Sequence, residues 1–446
     1  MNTTIRMDAL RMINFRCFNQ FDVDFHPECT VLVAKNGGGK SAVLDALAVA
    51  LGPFVGGFDE GKDRHFDVTD VRLIQNPARQ IKEMEPQYPV AIEATGQIDG
   101  RVVQWRRELA AAKSHTTFAE ATDLRDCAKE LQTLVRRQVD VTLPHVSYYG
   151  TGRLWRQMRL TKAKKEESTS RTRGYTDALE PSSNYRMFED WFRNLHQAEY
   201  ESKDQPAKLE EIRGYLTGIR NAVNTALRPA GWDNIRYGAA EGGVMASHER
   251  HGDLPVDSLS DGIRNMIGMV ADIAYRIVRL NPHLRAAGPQ ETPGIVLIDE
   301  VDMHLHPEWQ QVVMKSLRDA FPRIQFIVTT HSPQVLTTVH RDMVRLLEGE
   351  TGETRAAVPL DDAFGRESRI ALEDVMSVKS RPPVEASQVL EEYRDVIERG
   401  EIDSPKALEL RQRVEQFYGT EAEEVDLANL VIARWKAIRQ SRGGKG

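Results

Sequence analysis

Apolar and polar residues alternate around Leu10, Ile13, Phe15 and Phe18, and the apolar run Thr30-Val31-Leu32-Val33 follows, so residues 5–33 read as two or three short strands. A glycine-rich turn comes next. The segment SAVLDALAVAL at 41–51 has the continuous apolar character of a buried helix, which Gly52-Pro53 should end. Strand-like stretches at 90–98 and 102–107 predict an antiparallel layer. From about 120 to 235 the pattern is mainly helical, interrupted by the polar stretch TKAKKEESTSRTRG at 161–174, which has the composition of a mobile loop. After a Gly-rich passage near 238–252, Ile263, Met266, Ile267, Val270, Ile273 and Ile277 mark one stripe of a helix. The short continuous runs 295–298 and 326–328 are separated by a helical stretch at 308–320, the pattern of strands buried on both faces of a parallel sheet. Beyond a short strand at 343–347, Pro382-Pro383 marks a break, and 384–440 is charged and helical.

Composition narrows the class. The chain has 446 residues, 41% hydrophobic and 28% charged, the balance of a soluble folded protein with room for several units of roughly 100–200 residues. Lys and Arg number 59 against 66 Asp and Glu, a formal net charge of −7, which argues against wholesale coating by nucleic acid but leaves room for a local basic groove. Cys17, Cys29 and Cys127 include no CxxC pair and fit neither a disulfide framework nor a zinc ribbon. The N-terminal MNTTIRMDALRMINF has no apolar h-region, and no run approaches the ~18 apolar residues of a bilayer span. The expectation is a cytoplasmic chain without a membrane partner.

Four motifs carry chemistry. Ala34-Lys35-Asn36-Gly37-Gly38-Gly39-Lys40-Ser41 lies between a strand and a helix, as a phosphate-binding loop requires. Backbone N–H groups from Asn36 to Gly39 would point at phosphate oxygens, and the helix N-terminus adds about half a positive charge. Lys40 would reach the β- and γ-phosphates of ATP, and Ser41 would ligate Mg²⁺. Alanine stands where the motif has its first glycine; as the smallest substitute it should leave the loop intact. The bland alternative is a Gly-rich turn capping an ordinary βα unit. Asp299 and Glu300 end the run 295–298 at the strand edge where open α/β sheets bind ligands. Asp299 would hold Mg²⁺ directly or through water, and Glu300 would orient and deprotonate the attacking water, unless the pair is simply an exposed acidic surface. Thr329-Thr330-His331-Ser332-Pro333 ends the next strand, with His331 placed 32 residues after Asp299, one crossover unit away. His331 would then hydrogen-bond the γ-phosphate or the attacking water. Leu259-Ser260-Asp261-Gly262 opens the helical stripe, where Ser260 and Gly262 offer donors to an anion or form a simple N-cap.

Two features stay open. His304 and His306 make an H-x-H pair compatible with zinc, with no third ligand cluster evident. Eight basic residues between Arg153 and Arg173 face only Glu166 and Glu167, a solvated loop or a nucleic-acid contact, and Arg153 itself suits a phosphate, a neighbouring subunit or a salt bridge.

In this order the four motifs resemble the ABC ATPase set of Walker A, signature, Walker B and switch histidine. IleAsnPheArgCysPhe at 13–18 resembles the opening strand of SMC, RecF and OLD-type ATPases, and Asp302-Met303-His304-Leu305-His306-Pro307 resembles the LHP form of their D-loop, which explains both histidines without a metal. The resemblance implies an α/β fold: an ABC-type P-loop ATPase head of mixed sheet and antiparallel layer, with a helical insertion and a helical C-terminal extension. It divides the chain into an N-terminal lobe with Walker A (1–154), a helical insertion or lid (155–235), a lobe with signature, Walker B, D-loop and switch histidine (236–355), and a helical partner or oligomerisation region (356–446). In that family the signature loop of one subunit completes the site on the other, so a homodimer or higher homo-oligomer is implied.

Tyr148-Tyr149-Gly150-Thr151-Gly152-Arg153 and Asp361-Asp362-Ala363-Phe364-Gly365-Arg366, with Arg381-Pro382-Pro383 and the helical tail, resemble the PtuA-like ATPases of Septu antiphage systems, also found in some retrons. That resemblance implies an ATP-hydrolysing regulatory subunit of a defence complex, an HNH nuclease partner of the PtuB type, and DNA or retron nucleic acid as a further contact. The alternative is a RecF- or SMC-like repair ATPase that clamps DNA. An OLD-type nuclease is not expected, because no acidic Toprim pattern follows the core.

Overall fold

The computed structural model describes residues 3–75, 83–153, 170–181, 185–349 and 354–443. Of the basic segment expected to form a loop or nucleic-acid contact, 154–169 lies outside the described residues. The chain divides into two compact units, Met1–Met376 and Ser377–Gly446. Residues 356–376, grouped by the sequence with the helical tail, belong to the first unit, where Ala363, Ala371 and Val375 join the core.

The first unit is built on two larger sheets. An antiparallel one runs in the order β2-β1-β6-β7, from β1 (Ile5–Phe15), β2 (Phe18–Asp24), β6 (Val90–Ile98) and β7 (Arg101–Leu109), with a small hairpin of β4 (Leu73–Gln75) and β5 (Met84–Pro86) between. The second runs β15-β14-β3-β13-β12-β8, from β3 (Cys29–Val33), β8 (His145–Tyr149), β12 (Gly294–Ile298), β13 (Ile324–Thr329), β14 (Val344–Glu348) and β15 (Arg355–Ala357); all its pairings are parallel except that of edge strand β15. The antiparallel trio β9 (Trp232–Gly238), β10 (Gly243–His248) and β11 (Gly252–Pro255) occupies the passage that the sequence presents as merely Gly-rich.

The two-residue side-chain period of a strand sorts the core. Val31 and Val33 of β3 and Val296 and Ile298 of β12 pack with helices α4 (Pro206–Leu227) and α5 (Asp261–Leu280). Leu32, Ile295, Leu297 and Ile327 face the other way, towards α1 (Lys40–Val55) and the antiparallel sheet. Both faces being covered is why these strands carry continuous apolar runs. Helix α2 (Thr122–Arg136) packs beside α1, and α3 (Tyr185–Glu201) packs on α4 and α5.

Two expectations need correction. Helix α1 does not stop at Gly52-Pro53 but runs on to Val55, with Pro53 inside it. Proline at 53 has no N–H for the Val49 carbonyl, and the buried Arg107 guanidinium donates to that oxygen instead (3.0 Å), while Trp105 Nε1 donates to Ala50 O (2.9 Å). The stretch 120–235 is not simply helical either: β8 sits inside it as a fully buried edge strand of the parallel sheet.

The second unit is a three-helix cluster, Glu385–Glu398, Pro405–Tyr418 and Glu423–Gly443, around Leu390, Tyr393, Ile397, Leu410 and Val414. Among the described residues no helix is long and apolar enough to cross a membrane, and Cys17, Cys29 and Cys127 are free thiols.

Candidate active site

The parallel register brings the motif ends together. Val328 pairs with Val31 and with Ile298, so β3, β13 and β12 finish side by side at neighbouring positions. Adjacent strands lie roughly 4.8 Å apart, and Ala34, Thr330 and Asp299 therefore leave the same edge of the sheet.

The loop after β3 has the backbone of an anion cradle. Gly37 and Gly39 take left-handed conformations (φ 77° and 89°). A Cβ on Gly39 would come 2.2 Å from the Phe18 ring and 2.9 Å from Cys17 Sγ, so only glycine fits against the β1–β2 turn. Ala34 is not among the positive-φ residues, so its Cβ meets no left-handed backbone strain. Helix α1 has no side-chain N-cap and no acidic residue in its first turn. Its first N–H groups are thus left for an anion, which the helix dipole also favours.

The side chains converge. Ser41 Oγ donates to Asp299 Oδ2 at 2.8 Å, across 258 residues of sequence. This pair of hard oxygens, one hydroxyl and one carboxylate, fits Mg²⁺. Lys40 is 7% exposed and donates to Ala34 O (3.0 Å). Burial lowers its pKa, with Asp299, Glu300 and Asp302 pulling the other way, so a buried ammonium faces three carboxylates.

Thr329, a residue the sequence argument passes over, organises the acidic pair. Its hydroxyl donates to Asp299 Oδ1 (2.6 Å) and accepts the Glu300 N–H (2.7 Å), and its carbonyl accepts the Val301 N–H (2.9 Å). Glu300 is held at φ 50°, a left-handed conformation costly to a residue with a Cβ and typical of functional sites. Thr330 Oγ1 donates to Asp302 Oδ1 (2.5 Å), tying β13 to the loop after β12. His331 is half-buried immediately beyond.

The signature lies at the head of α5. Ser260 is its N-cap residue, exposed and making no cap bond with its side chain, so its hydroxyl is not spent on its own helix. Gly262 is buried, and a Cβ there would come 2.2 Å from His304 O. It therefore seats the signature on the D-loop of its own chain, where His304 has φ 62°. His306 caps the short helix Pro307–Gln310, its Nδ1 facing Glu308 N at 3.4 Å. Among the described residues no group of three or more His, Cys, Asp or Glu is placed to hold a metal.

A second cluster, hidden in the apolar run of α1, gives the 13–18 motif its physical role. Arg16 donates to Asp45 Oδ2 (2.5 Å) and to Asp70 Oδ1 (2.9 Å), and Arg64 donates to Asp45 Oδ1 (2.7 Å). Burial raises the Asp45 pKa against the pull of Arg16 and Arg64. The lone acid in SAVLDALAVAL was the available signal: a carboxylate among buried positions requires cationic partners.

The chain is similar to several known proteins. An AAA domain family matches residues 9–223, and a second AAA domain family, described with the AbiEii toxin of type IV toxin–antitoxin systems, matches residues 151–337. The Retron Vc95 probable ATPase of Vibrio cholerae serotype O1 biovar El Tor is 24% identical over 92% of this chain and 87% of its own length. The Retron Ec83 probable ATPase of Escherichia coli is 25% identical over 96% of this chain and 87% of its own length. The Septu protein PtuA of Bacillus mycoides (strain KBAB4) is 40% identical over 22% of this chain and 13% of its own length. Among solved structures, the SMC head bound to the C-winged helix domain of ScpA aligns with a TM-score of 0.49 at 15% identity, over 79% of this chain and 97% of that one. With its motifs gathered at one sheet edge, the chain is similar to AAA domain proteins and to the probable ATPases of retrons and the Septu protein PtuA.

Proposed function

We propose that this chain binds ATP with Mg²⁺ between two copies of itself, hydrolyses it, and thereby controls an HNH nuclease partner in an antiphage defence complex. The observation that carries the ATPase reading is the Ser41–Asp299 contact at 2.8 Å beside the enclosed Lys40, which unites Walker A and Walker B. The relatives named for retrons and for Septu support the setting.

In this reading Asn36 to Gly39 and Lys40 embrace the phosphates, and Ser41 and Asp299 hold the cation. When bound, Mg²⁺ supplies charge neutralisation at the transferring phosphoryl group. Glu300, fixed through its N–H by Thr329, accepts a proton from the attacking water on a carboxylate oxygen. His331, at the end of the neighbouring strand, donates a hydrogen bond to the developing charge. Ser260 and the α5 N-terminus of the second copy close the site from the other side.

The nuclease partner is assigned to the C-terminal unit, which exposes Leu408, Phe417, Leu427 and Leu430, apolar positions that a partner would cover. The chain itself is expected not to cut DNA.

Nucleotide binding and light-scattering mass test the core of this. Lys40→Ala should bind no ATP, and Glu300→Gln should bind it and persist as a dimer without turnover. Turnover by Glu300→Gln equal to that of the parent would refute the assigned roles. Metal-dependent DNA cleavage by the purified chain, or salt-sensitive DNA clamping without a nuclease partner, would favour the repair-type reading.

A further inference from the structure

Behind the site lies a buried polar network that the hydrolytic chemistry does not use. Tyr149 ends β8, 1% exposed, paired in register with Ile298, the residue before the Walker B aspartate. Its carbonyl accepts the Asp299 N–H at 2.8 Å. Its hydroxyl points the other way and donates to Asp272 Oδ2, also at 2.8 Å. Asp272 is fully buried in α5, the helix that begins with the signature. Arg276 Nε, one turn on, donates to the same Oδ2 (2.8 Å), while its Nη1 donates to Gly174 O (3.0 Å) and Thr176 O (2.8 Å).

This network is a poor way to gain stability. A buried ion pair usually does no better than apolar residues of the same volume, because desolvation offsets attraction. Among the described residues Asp272 Oδ1 has no hydrogen-bond partner, which makes the arrangement costlier still. The neighbouring polar groups do not relieve it. His145, on the same face of β8, is fully buried with Nε2 on Ser147 Oγ (2.8 Å), and burial pushes its pKa down to about 3. It stays neutral and adds no charge. What the network does supply is direction: one side chain with its backbone on the metal-binding aspartate and its hydroxyl on the signature helix. From Asp272 to Ser260 is twelve residues of continuous helix, about 18 Å at ~1.5 Å per residue.

We propose that Tyr149 is a positioning residue that ties Asp299 to the signature helix of its own chain, so that the state of one ATP site sets the signature presented to the other. The proposal rests on the shared-site reading above, in which each signature serves the opposite copy. Loading of the Ser41–Asp299 pair shifts the β12 edge, Tyr149 carries the shift to Asp272, and α5 moves as a rigid rod. The two sites of a dimer then act in concert.

Tyr149→Phe in the full chain removes only the hydroxyl and keeps the carbonyl. ATP affinity, read with a fluorescent analogue, should stay within about twofold of the parent. The maximal rate should fall about tenfold and the Hill coefficient for ATP should drop to about 1, effects within the usual range of site coupling. A second variant guards against a simple folding defect. Tyr149→Phe and Asp272→Leu together replace the hydroxyl–carboxylate contact with apolar groups while Arg276 keeps its bonds to the Gly174 and Thr176 carbonyls; a variant that still unfolds in one cooperative transition should show the same loss of cooperativity for ATP. Parent-like cooperativity in either variant overturns the proposal alone. A parent that hydrolyses ATP as a non-cooperative monomer overturns the shared-site reading and the proposal with it.

Discussion

At the scale of single residues, the site depends on a hydroxyl that the motif pattern does not single out. Thr329 was legible as part of Thr329-Thr330-His331, but the spacing pointed to the histidine, because nothing in a sequence says which of two threonines faces the neighbouring strand. The register decides it: Thr329 closes β13 one position beyond the Val328–Ile298 pair and reaches both Asp299 Oδ1 and Glu300 N. Valine has the same shape and the same preference for strands, so Thr329→Val should fold while leaving the Glu300 N–H without its acceptor. Loss of a supporting contact of this kind typically costs ~10–100-fold in activity. Single-turnover hydrolysis should fall by that order, and Thr329→Ser, which keeps the hydroxyl, should recover most of it. A valine variant as fast as the parent would remove Thr329 from the positioning machinery.

At the scale of elements, periodicity exposed what was apolar and missed what was compensated. The continuous runs of β3, β12 and β13 and the stripe of α5 were readable because burial on one or both faces leaves a mark on every second or every third to fourth residue. Strand β8 was not, since His145, Ser147 and Tyr149 place polar atoms on a fully buried face, with His145 Nε2 on Ser147 and the Tyr149 hydroxyl on Asp272 of α5. The end of α1 was misread for a similar reason. Gly52-Pro53 is a stop signal only if nothing replaces the lost donor, and Arg107, 58 residues after Val49 and invisible to any local window, replaces it. Arg107 also pairs with Asp63 (2.9 Å) at 0% side-chain exposure, and burial lowers its pKa against that partner. Arg107→Met should therefore strand both Asp63 and the Val49 carbonyl and lower stability by ~3–5 kcal/mol, the usual cost of breaking a buried pair. Denaturant unfolding measures this; a loss under about 1 kcal/mol would show that the last turn of α1 needs no such brace.

At the scale of the whole molecule, the decisive question is whether an active site belongs to one chain or two. The P-loop, Asp299, Glu300 and His331 gather on one sheet edge, whereas Ser260 is exposed at the head of α5 and its hydroxyl makes no cap bond to that helix. An isologous dimer would place each signature over the opposite P-loop, making two equivalent composite sites. Two inactive chains should then rescue one another. Ser260→Arg spoils the roof that its chain lends to the partner, and Glu300→Gln spoils the base in its own chain's site. A mixed dimer pairs the intact P-loop half of the Ser260→Arg chain with the intact signature of the Glu300→Gln chain, giving one complete site in two. Equal amounts mixed before ATP is added yield mixed dimers in about half of the population, so up to about a quarter of the parent rate should return, and less where the two sites act in concert. Sites contained within single chains predict no gain over the two variants measured separately. If mass measurements show mixed dimers and the rate stays at that baseline, the signature acts on its own chain and the head-to-head assembly has to be redrawn.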